Sequence, residues 1–248
     1  MQWVIGGYMC PHQGPAGTPA EKRGLAMMTR LTNRFSLLTT AAVAVFAFGA
    51  AAPAYADGNG ANLSAEWWQN AVSVPALQNP ILDESGVYCA IGQRGKTWFL
   101  YGSYGNAIGE PITRECTVPT GRQFFVPILN VLCTPFAGET VEDNVKLCKD
   151  FIDMVDVKAL TVDGVDRSNL IKRYGASNKF STVFPDDNYL GYPTGIYFSV
   201  ADGYYAQLPP LAAGAHTIRL QGAITAYDFS VDVIYNIDVI EPGVVIFP

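Results

Sequence analysis

Four cysteines, Cys89, Cys116, Cys133 and Cys148, follow a stretch with the form of a secretory leader, and these two features together narrow the folds open to the chain. Residues 29 to 56 carry Arg30 and Arg34, then an uncharged apolar run from Phe35 to about Ala52, then the small-residue site Ala54-Tyr55-Ala56. Basic, apolar, small is the order of a cleavable signal peptide. The run is short for a comfortable membrane span of ~20 residues. We expect a signal peptide over 27–56 starting at Met27 or Met28, residues 1–26 as an extension ahead of it, and cleavage before Asp57. Cys10 falls in that extension, with no charged residue before it to suggest a lipidation site. No later segment is apolar for long enough to span a bilayer, so no stable membrane anchor is expected after cleavage.

In an oxidising compartment an even set of cysteines reads as disulfides. The competing reading is zinc, but the spacings of 27, 17 and 15 residues are unlike the short Cys-x2-Cys loops of structural zinc sites, and His216 is the one histidine beyond the leader. Pairing Cys89 with Cys116 and Cys133 with Cys148 would join adjacent elements. Four cysteines nevertheless allow three connectivities, which the sequence leaves open. No cofactor is expected.

The net charge is −6, and removing residues 1–56 takes away Lys22, Arg23, Arg30, Arg34 and only Glu21, leaving −9. Such a chain, without a basic block, repels phosphate backbones, so nucleic acid is excluded as a partner. Only 15% of the residues are charged and 49% are hydrophobic, which excludes a disordered polyelectrolyte. The 24 glycines and 16 prolines suit many strands and turns.

Beyond residue 56 we expect a single secreted domain, 57–248. Residues 57 to 64 read as an unstructured start, with Ser64 capping a short helix through Trp67, Trp68 and Val72 that ends before Pro75. Trp67 and Trp68 cannot share a face, and both are read as anchors that dock the segment. Short β-branched and aromatic runs predict strands at 87–91, 96–102, 114–118, 122–128, 157–162, 180–184, 195–200, 204–208, 216–221 and 229–239. Pro119-Thr120-Gly121, Asp163-Gly164 and Asp202-Gly203 read as the turns of hairpins. One convincing helix interrupts them near 140–155: Thr140 and Asp143 have capping-box spacing, and Val141, Val145, Cys148, Ile152 and Val155 form an apolar stripe. In the last strand Val231, Val233, Tyr235, Ile237 and Val239 alternate with mostly polar neighbours. The fold class expected is mainly β, an antiparallel β-sandwich of jelly-roll or immunoglobulin-like type with one short N-terminal helix and one inserted helix.

The segments Asn79-Pro80, Gly86-x-x-Cys89-x-x-Gly92-Gln93-x-Gly95-x-x-Trp98-Phe99-Leu100-x-Gly102, Arg114-x-Cys116-x-Val118-Pro119-x-Gly121, Phe124 to Asn130 and Cys133 resemble a group of secreted bacterial proteins described as hypothetical signal-peptide proteins. Asp202-Gly203-Tyr204, Pro210-Leu211, Gly214 and His216-Thr217-Ile218 resemble the same group's C-terminal portion. The resemblance covers most of the chain beyond the leader. It implies secretion and an intact fold, and it supplies no catalytic residues.

Two chemistries are open. A hydrolase built on His216 lacks a Gly-x-Ser-x-Gly elbow, and paired cysteines are not nucleophiles, so His216 reads as a strand-start residue with a structural hydrogen bond. Carboxylates remain as acid and base groups, with Glu115, Asp186 and Asp187 as candidates for a carboxylate-dependent glycan hydrolase, which needs two across one cleft. The other chemistry is binding. Tyr189, Tyr192, Tyr197, Tyr204 and Tyr205 crowd a stretch punctuated by glycine and proline, a composition suited to contacting a glycan or a cell-surface protein. Asp186, Asp187 and Asn188 are calcium candidates through their hard oxygens, though an EF-hand spacing is absent. The principal expectation is an extracytoplasmic binding or structural module.

Overall fold

In a computed structural model the described residues are 2–5, 8–11, 60–106, 109–135, 139–175, 179–241 and 243. The signal peptide expected over 27–56 and its cleavage site lie outside them. The elements in chain order are β1 (Gln2–Ile5), β2 (Tyr8–Pro11), α1 (Gly60–Ser73), β3 (Thr97–Phe99), β4 (Ile112–Pro119), β5 (Gln123–Cys133), α2 (Val141–Ile152), β6 (Val157–Val162), β7 (Val165–Asp166), β8 (Ile171–Tyr174), β9 (Phe180–Phe184), β10 (Gly195–Leu208), β11 (Gly214–Ile224) and β12 (Phe229–Ile240). They form two sheets. One runs β2-β1-β5-β10-β8, with β3 beside β5 and β9 beside β10; the other runs β4-β12-β11-β6-β7.

The sheets are mixed rather than wholly antiparallel, because β4 runs parallel to β12 and β3 parallel to β5. The reason lies at Pro119-Thr120-Gly121. The turn forms, with Gly121 at φ 79°, but it carries the chain from β4 in one sheet to β5 in the other, so these strands are not a hairpin. Asp163-Gly164, by contrast, does close the β6–β7 hairpin: both residues have positive φ, 52° and 73°, as a type I′ turn requires.

Asp202-Gly203 is not a turn. The two expected strands around it are one, β10, in which Asp202 lies opposite Val131 of β5. Glycine is needed there because a Cβ on Gly203 would come within 2.5 Å of the Asn130 Cβ. Asp202 is needed for charge. Its buried carboxylate receives both arms of the Arg173 guanidinium, at 2.9 Å from Nε and 2.7 Å from Nη2, and a third nitrogen reaches Asp153 just beyond α2. Residues 87–91 also depart from expectation, forming turns in place of a strand.

The inner faces of both sheets share one core. Val231, Val233, Tyr235, Ile237 and Val239 are all at most 3% exposed, as the alternation required, and pack with Ile218, Leu220, Val126 and Ile128. Arg114 is buried among them. It donates to the carbonyls of Ile81, Tyr101 and Gly102 and to the Tyr235 hydroxyl, so one cation ties the 79–102 segment to β4 and β12. Two disulfides staple this framework, Cys89 with Cys116 and Cys133 with Cys148, which is the neighbouring pairing. The second joins β5 to α2, whose capping box between Thr140 and Asp143 is fully formed.

A second core gathers α1. The helix starts at Gly60, so Ser64 is not its cap; Ser64 is buried inside it and donates to the Tyr205 hydroxyl. Successive side chains diverge by about 100° around a helix, yet Trp67 and Trp68 are both buried because α1 is covered on two flanks. Trp67 donates to the Leu100 carbonyl at 2.7 Å and lies against Tyr101. At the other end Asn79 satisfies the Ala71 and Val74 carbonyls that the helix terminus leaves unpaired. No helix among the described residues is long and apolar enough to cross a membrane.

Candidate functional site

The tyrosines turn inward. Asn188 folds their loop by donating to the Pro185 and Tyr192 carbonyls at 2.7 Å each while accepting from the Tyr192 N–H at 3.0 Å. Its amide oxygen is thereby engaged within the loop rather than offered to calcium. Tyr192 is 6% exposed and stacks on Phe184 at 4.7 Å, and burial pushes its hydroxyl up to about 12. Tyr189 packs edge-on against Tyr104, and burial raises its hydroxyl well above the ordinary tyrosine value. Tyr205 lies in the second core, its hydroxyl accepting from Ser64 and from Asn130. Tyr197 donates to the Pro193 carbonyl, and Tyr204 lies under Lys158 and Arg173. The five rings therefore do not form an exposed platform.

The carboxylate candidates stand on different elements. Asp186 and Asp187 are exposed after β9, where Thr194 donates to Asp186. Glu115 is on β4 of the other sheet, in a depression of about 340 Å³ with Asp163, His216, Asn236 and Asp238, and accepts from Asn236 at 2.8 Å. Asp163 binds the His216 ring at 2.8 Å and the Thr217 N–H at 2.8 Å. Partial burial pushes the Asp163 carboxyl up, but these bonds overcome it and hold it below its ordinary value. The same contact raises the His216 value against the opposing effect of burial. His216 also meets the Ala212 carbonyl at 3.0 Å, so both ring nitrogens are bound to turn and loop groups. Among the described residues no group of three or more His, Cys, Asp or Glu side chains is arranged to hold a metal.

A larger site comes from residues that sequence reasoning did not single out. An open groove of about 550 Å³ lies between α1, the loop before β3, and β9, lined by Glu66, Gln69 and Asn70, by Arg94, Lys96 and Thr97, and by Ser181 and Val183. Local chemistry holds its walls. Gly92, at φ 73°, lets the backbone approach α1 so that Asn70 donates to the Gly92 carbonyl at 2.7 Å. Gln93 then folds onto the outer edge of β3, donating to the Phe99 carbonyl and accepting from the Phe99 N–H, both at 2.8 Å. That loop projects Arg94 and Lys96. Both are exposed, and neither has an ion-pair partner among the described residues. On the opposite wall Gln69 donates to the Ser181 carbonyl at 2.9 Å. The sequence signal was present as Arg94-Gly95-Lys96 directly before a strand, but Ser181 and Val183 join it only through the fold.

No protein-family model matches the chain, nor does any curated protein or solved structure.

Proposed function

We propose that the chain is an exported, disulfide-stapled binding module that engages a negatively charged cell-surface partner in the groove between α1, β3 and β9. The observation that carries this reading is the pair of uncommitted cations, Arg94 and Lys96, lining the groove of a chain whose net charge is −6. Export is read from the leader, and the two disulfides are of the kind that persists outside the reducing cytoplasm. The architecture is read as a sandwich of the broad jelly-roll or immunoglobulin-like kind, altered by its two parallel pairings.

The test compares retention of the processed, disulfide-bonded protein on carboxylated, sulfated and neutral glycan and peptide surfaces. Retention on an anionic surface that falls with salt and is lost in Arg94→Glu with Lys96→Glu is expected. Equal retention of variant and parent on every surface refutes it. The glycan-hydrolase reading keeps one observation, the juxtaposition of Glu115, Asp163 and Asp238 in the second depression. It predicts product release from an acidic or neutral glycan that Glu115→Gln abolishes.

A further inference from the structure

We infer that the ligand taken by this groove is an extended acidic peptide segment, added as a strand to the outer edge of β9. The inference rests on the groove being the binding site and specifies what fills it.

Among the described residues β9 pairs with one strand, β10, with Ser181 opposite Phe198 and Val183 opposite Ile196, and α1 lies against it. In an antiparallel strand the N–H and C=O of one residue point to the same side, and residues two apart share that side. The Ser181 carbonyl points away from β10, because Gln69 of α1 donates to it. The N–H of Ser181 and both main-chain groups of Val183 therefore point outward as well, and Ser181 and Val183 both line the groove. An edge that pairs with no further strand among the described residues is a template for strand addition, here through the Ser181 N–H and the two main-chain groups of Val183. Gln69 already supplies one amide N–H where an added strand would supply a backbone one.

Two further features define the peptide. Arg94 and Lys96 outnumber Glu66 in the same groove, which favours carboxylate side chains on the part of the segment beside the two cations. On the outward face of the β9–β10 ribbon, Val183, Ile196 and Phe198 are 53%, 74% and 59% exposed and adjacent across the strands. An added strand places alternate side chains beside Val183, continuing this apolar row. The recognised sequence thus pairs β-branched or aromatic residues on one face with Asp or Glu elsewhere on the strand. An acidic saccharide satisfies the cations but has no ladder of amides for the edge.

The test is fluorescence anisotropy of the processed, disulfide-bonded protein with an array of blocked acidic heptapeptides. Each is matched by versions with proline at every second position in either register and by a lysine-for-glutamate version; an acidic oligosaccharide is run in parallel. Saturable binding is expected, weakened about five- to tenfold by proline in one register only, since each lost ladder bond removes of order one kcal/mol. It is abolished in Arg94→Glu with Lys96→Glu, and amide hydrogen exchange at Ser181 and Val183 slows in the complex. Binding that ignores proline register, or leaves exchange at Ser181 and Val183 unchanged, overturns strand addition. So does an array in which no peptide binds at millimolar concentration. If the oligosaccharide then binds in a manner that needs Arg94 and Lys96, the groove reading survives; if nothing anionic binds, both fall.

Discussion

Replacing Arg173 by Met isolates a bidentate charge pair whose carboxylate is buried. Asp202 is 2% exposed and lies in the middle of β10, where its two oxygens take the Nε and Nη2 hydrogens of Arg173 from β8. Methionine fills much of the same space but leaves a carboxylate buried without its cation, and breaking a buried pair from one side costs about 3–5 kcal/mol. The remaining arm of Arg173 contributes far less, because its partner Asp153 has a side chain 42% exposed to water. With a urea slope of roughly 2 kcal/mol/M for a domain of this size, the expected fall in the unfolding midpoint is about 1.5–2.5 M at unchanged slope. The assay is urea unfolding of the oxidised protein near neutral pH, followed by tryptophan fluorescence. A second variant, Arg173→Met with Asp202→Asn, separates charge from packing: with no charge left to bury, it should recover most of the loss. A single variant shifted by less than about 0.5 M, or a double variant no better than the single, would refute the claim that Asp202 depends on Arg173 for its burial.

Two further outcomes follow from particular contacts. Converting Cys133 and Cys148 together to serine opens a staple with a sequence separation of 15, and on the chain-entropy account this removes roughly 3 kcal/mol, measurable by the same unfolding curve. The His216–Asp163 contact gives a pH signature. His216 has its value raised above 6.5 in the fold, so its contribution is complete below 6.5 and disappears as pH rises through the folded value. Asp163 is held below 3.8, so its contribution is complete above 3.8 and disappears as pH falls through the folded value. The pair therefore stabilises most between these limits, by less than about 1 kcal/mol given the exposure of Asp163. Substituting His216→Ala should flatten the dependence of the melting temperature on pH above 6.5; an unaltered slope contradicts the assignment.

Legibility in the sequence tracked how local the cause of each structure is. β12 was readable because five inward apolar residues recur at every second position from Val231 to Val239, although Ser230 and Asp232 on the other face are buried as well, and α2 because Thr140 and Asp143 make their capping bonds within four residues. Asp202-Gly203 was misread because its causes are remote. The glycine answers to Asn130 and the aspartate to Arg173, and the same two residue types close a real turn at Asp163-Gly164. The tyrosine-rich stretch was ambiguous for a related reason, since a density of tyrosines suits an exposed face or a core equally, and at Tyr192 the inward placement goes with the three bonds of Asn188.

The groove was the least legible feature, because a strand edge is defined by the neighbour it lacks, and no local pattern encodes that. Its trace in the sequence is the placement of cations: Arg94 and Lys96 immediately before β3, and Lys179 immediately before β9. Positive charge on edge strands is a common protection against edge-to-edge aggregation. Protection and the proposed recognition are compatible. Cations repel a second basic edge and tax any neutral strand with desolvation, whereas an acidic strand gains an ion pair at each position where the others lose. An arrangement that disfavours self-association at such edges carries a charge preference of its own, and the peptide array reads that preference.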